Sequence, residues 1–236
     1  METKQIEIWD RSDLIDAIND VFDLDLTRAA VVTVDMSEHH AARGLSPGTL
    51  ELLVANTASF LRTARRAGLP VIHVIGVTRP VEAGYMKRWA AEAAAGASPS
   101  PYAGTVAPPR FVEGAFDPDV LRGLVEASDF IIKTKKTFSC FHGTDLAELL
   151  MSLGATTVVL CGMDTNGSVQ GTTFELNNLG YGSVVIADCC ASTYGDDLHE
   201  LAIEHLKRCL AWVFTSEEFS DKLLAAPSLA GAGGAS

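Results

Sequence analysis

The stretch Thr156–Thr173, "TTVVLCGMDTNGSVQGTT", decides the fold. Its first six residues are rich in β-branched and apolar side chains, the pattern of a strand covered on both faces. A glycine-rich turn follows, and "FELNNLGYG" (174–182) continues it. A strand that ends in such a turn and opens a helix is where α/β enzymes place a reactive side chain, and Ser168 stands in that turn.

Four more runs read as strands: "AAVVTVDM" (29–36), "PVIHVIGV" (70–77), "DFIIKT" (129–134) and "GSVVIADC" (182–189). Between them lie helical patterns. "SPGTLELLVANTASFLRTARRAG" (46–68) has Ser46 as cap, Pro47 at the first helical position and Gly68 as stop. Residues 117–128, 144–154 and 196–209 repeat the periodicity. Strand alternating with helix implies crossover connections and parallel neighbours. The expected fold is α/β, a three-layer Rossmann-like sandwich with a mainly parallel sheet of about six strands and helices on both faces. In such sheets ligands sit beyond the carboxyl ends of the strands, so Asp35, Gly162 to Ser168 and Asp188 to Cys190 are expected on one rim.

A chain of 236 residues, 47% hydrophobic and 20% charged, fits one globular core. One domain is expected over 1–224, with 78–116 as an insertion of the length used for lids and 225–236 as a disordered tail. The formal net charge of −12 offers no basic face for a phosphate backbone, which excludes nucleic acid as partner. Five cysteines without a repeated CxxC spacing read as free thiols rather than a metal site. The charged N-terminus lacks the apolar core of a signal peptide, and no apolar run spans a bilayer. A cytoplasmic protein with no membrane partner is the expectation.

Several residues invite chemistry. Asp35 emerges from a buried strand, either as a turn cap or as a carboxylate for acid–base work. Lys133, Lys135 and Lys136 form a solvated face, unless one lies beside a carboxylate and a nucleophile and stabilises an anion there. Ser168 fails the G-x-S-x-G elbow because Gly167 is one position too close. Its helix-opening turn nevertheless presents backbone N–H groups that can hold an oxyanion. No histidine has an evident claim as its base. His39 and His40 diverge as adjacent residues do, so no metal site is expected. His73 reads as a core or rim histidine, and Cys189 and Cys190 as small buried residues. Tyr85 and Trp89 line a pocket or anchor the insertion.

Three segments together resemble the isochorismatase-like cysteine hydrolases, the superfamily of nicotinamidases, N-carbamoylsarcosine amidase, ureidoacrylate amidohydrolases and biuret hydrolases. "VVTVDM" resembles the first-strand motif, which puts the catalytic aspartate at Asp35. "KKTFSCFHGTDL" resembles K-x-x-Y/F-S-x-F-x-x-T-x-L and puts the lysine at Lys135. "LCGMDTNGSVQGTT" resembles G-x-x-T-N/D-x-C-V-x-x-T, and the nucleophilic cysteine falls on Ser168. The likeness runs from about residue 28 to 215.

This resemblance implies a cis peptide between Met163 and Asp164, an oxyanion hole from the N–H groups of Asp164 and Ser168, and no cofactor. It also implies a homodimer or homotetramer. Ser37, His40, Trp89, Thr165, Asn166 and Cys190 are the candidates for substrate contact. The sequence departs from the pattern at Ser37, usually Gln, and at Asp164, usually small. "VIGVTR" lacks the Asp-x-His metal motif of nicotinamidases. "DCCASTYGDDLHELAIEHLK" and "KRW" resemble ureide-hydrolysing members, so a small amide or ureide is the expected substrate. Ser168 reads as an oxygen replacement of the cysteine, native or introduced, that leaves the chain nearly inactive. A nucleophile-free vinyl ether hydrolase of the isochorismatase type, or a non-catalytic binding member, is the alternative.

Overall fold

The computed structural model describes residues 8–41, 44–76 and 120–226. Its centre is a six-stranded, all-parallel sheet in the order β3-β2-β1-β4-β5-β6. The strands are β1 Ala29–Val34, β2 Val71–Gly76, β3 Phe130–Lys135, β4 Thr157–Met163, β5 Gly182–Ala191 and β6 Trp212–Phe214. The helices are α1 Ser12–Asp20, α2 Glu38–Ala41, α3 Pro47–Arg66, α4 Leu146–Ser152, α5 Gln170–Asn178, α6 Asp196–Cys209 and α7 Ser216–Ala225.

The chain winds outward from β1 through β2 to β3, returns to place β4 beside β1, and continues outward to β6. Right-handed crossovers in the two directions put helices on both faces, which makes the three layers. On one face α3 and α7 pack together over β5, while α5 and α6 pack against β5 with α1 beside α6. The reversal between β1 and β4 is the topological switch point, where neighbouring crossovers part and a crevice opens. Asp35 follows β1 and the 162–168 turn follows β4, so the topology delivers both to that crevice.

Burial explains why the central strands read as continuous apolar runs: every residue of β1 and of β4 is buried. Phe60 of α3 and Phe219 of α7 are fully buried with ring centroids 6.2 Å apart. Each such side chain contributes about 1.5–3 kcal/mol relative to exposure. The caps expected for α3 are present, with Ser46 Oγ accepting the Thr49 N–H at 3.1 Å and Pro47 opening the helix. Gly162 sits opposite Val34 with φ 126°, and a Cβ there would meet the Val34 carbonyl oxygen at 2.1 Å. Only glycine lets β1 and β4 approach this closely at their carboxyl ends.

Two expectations change. No helix spans 121–128: Val120 bridges Ser37 in antiparallel fashion, Leu121 donates its N–H to the Met36 carbonyl, and Gly123 at φ 85° turns the chain. Anchoring of Leu121 and Leu124 in the core overrides the helical spacing. Strand β3 is not covered on both faces but is the sheet edge, with Phe130 and Ile131 exposed. The sixth strand, only three residues long, is too short to show a pattern in sequence. The insertion at 78–116 lies outside the described residues, as do Tyr85 and Trp89. Helix α7 runs to Ala225, and 227–236 also lie outside. Among the described residues no helix is long and apolar enough to cross a membrane.

Candidate active site

Asp35 is the first residue after β1 and adopts φ 51°, a left-handed conformation that Asp tolerates better than most side chains. The Val74 carbonyl fixes its backbone by accepting the Asp35 N–H at 2.8 Å. Its carboxylate is buried and accepts the Gly76 N–H at Oδ1 (2.7 Å) and Lys135 Nζ–H at Oδ2 (2.5 Å). Gly76 matters for space as well: a Cβ there would lie 3.1 Å from Asp35 Oδ1.

Lys135 reaches this pocket because β3 is irregular. Ile132 and Lys135 are both buried although three residues apart, which strict alternation forbids. A register shift between Val74 and Gly76 on the partner strand re-aims the lysine, as bulges beside functional sites do. Its Nζ also donates to Ser168 Oγ at 3.0 Å, so one buried ammonium links β1, β3 and the turn after β4.

Ser168 is 5% exposed and sits in a π-turn, Thr165–Val169, in which the Val169 N–H reaches back to the Asp164 carbonyl at 3.1 Å. Such wide turns are rare and cluster at functional positions. The peptide between Met163 and Asp164 is cis. Around this turn the side chains face two ways. Thr165 Oγ1 hydrogen-bonds His199 Nδ1 of α6 at 2.8 Å, and Asn166 Oδ1 accepts the Ser192 hydroxyl at 2.7 Å. Both tie the turn to its surroundings, which makes them positioning groups rather than free ligands for a substrate.

Asp164 is tied down as well, at both oxygens. Its Oδ1 accepts the Thr193 N–H at 2.7 Å, and its Oδ2 pairs with His40 Nε2 at 2.9 Å, joining the end of β4 to α2. Ser37 adjoins this pair, its buried hydroxyl accepting the His40 N–H at 3.3 Å and its own N–H reaching the Asp35 carbonyl at 2.8 Å, while Cys190 is buried opposite Gly162. Asp188 reaches the carboxyl rim but turns outward, accepting from Ser216 N–H at 2.6 Å and Ser216 Oγ–H at 2.7 Å at the start of α7.

Electrostatics make this a charged cluster. Burial, the largest single influence, pushes the Asp35 carboxyl up, but the charges of Lys135 and His40 and the hydrogen bonds from Lys135 and Gly76 together hold it below its usual value. Asp164 follows the same logic, with burial opposed by the hydrogen bond and charge of His40. The thiols go the other way. Burial raises Cys140 to about 12 against the pull of Lys135, and Cys190 to about 12. Neither is a thiolate nucleophile near neutrality. Ser168 Oγ instead accepts a hydrogen bond from Lys135 Nζ.

The fold and this cluster define a doubly wound α/β protein with a buried Asp–Lys–Ser constellation at its switch point. Residues 29–218 match the isochorismatase domain, and the chain belongs to that family of hydrolases. It is 35% identical over 99 residues to the uncharacterized isochorismatase family protein YwoC of Bacillus subtilis, a match spanning 42% of this chain and 51% of that protein. Over 222 residues it is 27% identical to the ureidoacrylate amidohydrolase RutB of Methylobacterium radiotolerans, covering 89% of this chain and 84% of that one. The crystal structure of a cysteine hydrolase from Pseudomonas syringae pv. phaseolicola superposes with a TM-score of 0.70 at 20% identity, over 87% of this chain and 97% of that one, a likeness of fold.

Sequence reasoning singled out Asp35, Lys135, Ser168, His40 and Asp164 separately, and the structure brings these five together. It missed the Gly76 N–H and the pairing of His40 with Asp164. The signal for Gly76 was a glycine at a strand end; the pairing, across 124 residues, left none.

Proposed function

We propose that the chain hydrolyses a C–N bond of a small linear amide or ureide, with residue 168 as the site of the nucleophile. The observation that carries this is the single Lys135 ammonium bonded to both the buried Asp35 carboxylate and Ser168 Oγ. That arrangement stabilises an anion at position 168, and in this reading the N–H groups of Asp164 and Ser168 hold the oxyanion. The likeness to RutB over most of both chains supports a ureide among the amides.

In this reading residue 168 attacks the carbonyl carbon, the amine or ammonia leaves, and water releases the acyl group. A serine hydroxyl ionises far less readily than a thiol, so the oxygen at 168 makes attack on an amide slow. Ammonia release from biuret, ureidoacrylate, N-carbamoyl amino acids and nicotinamide is the test, comparing this protein with Ser168→Cys. A large gain for one ureide or linear amide is expected. No gain on any compound removes the amide reading. Pyruvate release from isochorismate by the protein as it stands would replace it with vinyl ether hydrolysis, the reading that a native oxygen at 168 favours.

A further inference from the structure

The turn that carries residue 168 also carries a buried negative charge. Asp164 opens it: the Gly167 and Val169 N–H groups reach the Asp164 carbonyl at 3.0 and 3.1 Å, and a Cβ on Gly167 would lie 3.5 Å from Asp164 Cβ. The Asp164 side chain is 6% exposed. Burial pushes its carboxyl up, but the hydrogen bond and charge of His40, with the hydrogen bonds of Thr193, hold it below its ordinary value and so ionised. A carboxylate in this turn works against any negative charge that forms on residue 168, because like charges in a poorly hydrated site disfavour each other.

His40 stands against that charge. Its Nε2 lies 2.9 Å from Asp164 Oδ2, whereas the Thr193 N–H gives Oδ1 a hydrogen bond at 2.7 Å but no charge. The charged groups nearest the pair, among the described residues, are Asp35 from the end of β1, which the His40 charge also lowers, and Lys135 of β3. Those two form an ion pair with each other, so His40 is left as the counter-ion of Asp164. Glu38 of the same helix is exposed. His199 of α6, bonded to Thr165 in the turn, is biased to its neutral form by burial, against the pull of Asp196 and Glu200.

We propose that His40 is the counter-charge of Asp164, cancelling the carboxylate that this chain carries in the turn so that residue 168 can hold negative charge. This rests on the placing of the nucleophile at 168 but not on the substrate class. Lys135 Nζ, 3.0 Å from Ser168 Oγ, stabilises that charge directly, and His40 removes the field that opposes it. No proton moves between His40 and residue 168. His40 and Asp164 act through the turn and are positioning residues.

The test titrates the thiol at position 168 in Ser168→Cys with iodoacetamide, a neutral probe, between pH 5 and pH 9, the adduct being located by peptide fragmentation. His40→Gln, Asp164→Asn and the two together are added to that background. Gln at 40 keeps an N–H donor for Asp164 and removes only the charge; Asn at 164 keeps an acceptor for the Thr193 N–H. In His40→Gln alkylation at pH 7 is expected to slow about tenfold, the effect of one unit in the thiol pKa, with the limiting rate at high pH unchanged. Asp164→Asn speeds it, and the double variant returns to the rate of Ser168→Cys. The kcat for ammonia release falls in His40→Gln and recovers in the double variant, with KM little changed.

Slowing in both single variants, in folded proteins, marks a hydrogen-bonded brace and overturns the proposal. Slowing in His40→Gln that the double variant does not recover places the effect on Asp35 instead and overturns it too, as do unchanged rates in both. No alkylation of position 168 in any form overturns it together with the nucleophile assignment. The expected order of alkylation rates without ammonia release from any compound supports the proposal and removes only the amide reading.

Discussion

Among the described residues are two aspartate–histidine pairs with opposite endings. In the first, His73 of β2 offers Nε2 to Asp129 at 3.2 Å, and its Nδ1 meets Thr33 Oγ1 of β1 at 2.7 Å. Asp129 is saturated in turn by Arg65 (Nε at 3.0 Å, NH2 at 2.6 Å) and by the Glu126 N–H at 2.7 Å. His73 is 0% exposed. In the second, His40 offers the same nitrogen to Asp164, but Nδ1 is unpartnered among the described residues and the ring is partly open. The chemistry of each pair is the same; the difference lies in what the second ring nitrogen meets. A pair closed at both ends joins α3, β2, β1 and the start of β3 and stabilises the fold. A pair closed at one end joins only α2 to the turn after β4 and leaves the second ring nitrogen unpartnered among the described residues.

The largest way to break this comparison is Asp129→Ala, which leaves the His73 Nε2–H without its acceptor and the Arg65 guanidinium with only Glu126 and the Leu124 carbonyl. Removing one partner from a buried charge pair costs about 3–5 kcal/mol, so the urea midpoint should fall sharply. The site's Lys135, Asp35 and Ser168 keep their contacts, so ammonia release per folded molecule, measured in the Ser168→Cys background, should not change. Loss of that activity in the folded fraction would show that the two regions are coupled.

Thr33→Val, nearly isosteric, opens the closed pair by removing the hydroxyl from His73 Nδ1. An unsatisfied buried acceptor costs about 1–3 kcal/mol, and urea denaturation should read a loss in that range. A loss near zero would mean that water reaches the ring and that the first pair is not sealed.

The smallest effect is a slope in stability with pH. For His73 burial favours the neutral ring and holds its pKa below 6.5 despite Asp129, whose hydrogen bond pulls the other way. The unfolded chain therefore binds the proton first, and stability falls as pH drops below about 6.5 and levels off beneath the folded value. Asp129 adds a second loss at lower pH. Burial pushes its carboxyl up, but the hydrogen bonds from Arg65, Glu126 and His73 outweigh this and hold it below 3.8. Its contribution is present above the ordinary carboxylate range and disappears as pH falls through the folded value. Urea midpoints between pH 8 and pH 3 measure both, and a flat profile above pH 5 would contradict the burial of His73.

The same contrast separates what is legible in sequence from what is not. β1 and β4 are readable because both of their faces are covered, so apolar character runs unbroken through "AAVVTV" and "TVVLCGM". α3 is readable because its cap and stop are local chemistry. The edge strand β3 misleads, since Phe130 and Ile131 are exposed, and 120–128 misleads because long-range anchoring to Met36 and Ser37 outweighs the helical spacing. Asp35, Lys135 and Ser168 are recoverable through their motifs, while the inward turn of Lys135 depends on a register shift that no pattern in β3 announces.

By itself the sequence determined the α/β class, the parallel sheet and the three motif residues, because periodicity, caps and motifs are encoded over neighbouring positions. Only the tertiary structure decided that Asp164 holds His40 and that Asp129 closes His73. Partners 124 and 56 positions apart meet solely because the β1–β4 switch point and the β2–β3 edge bring them within hydrogen-bond reach. The physical reason is that a histidine's role depends on what faces each of its nitrogens, and that is a property of packing between elements rather than of any stretch of chain.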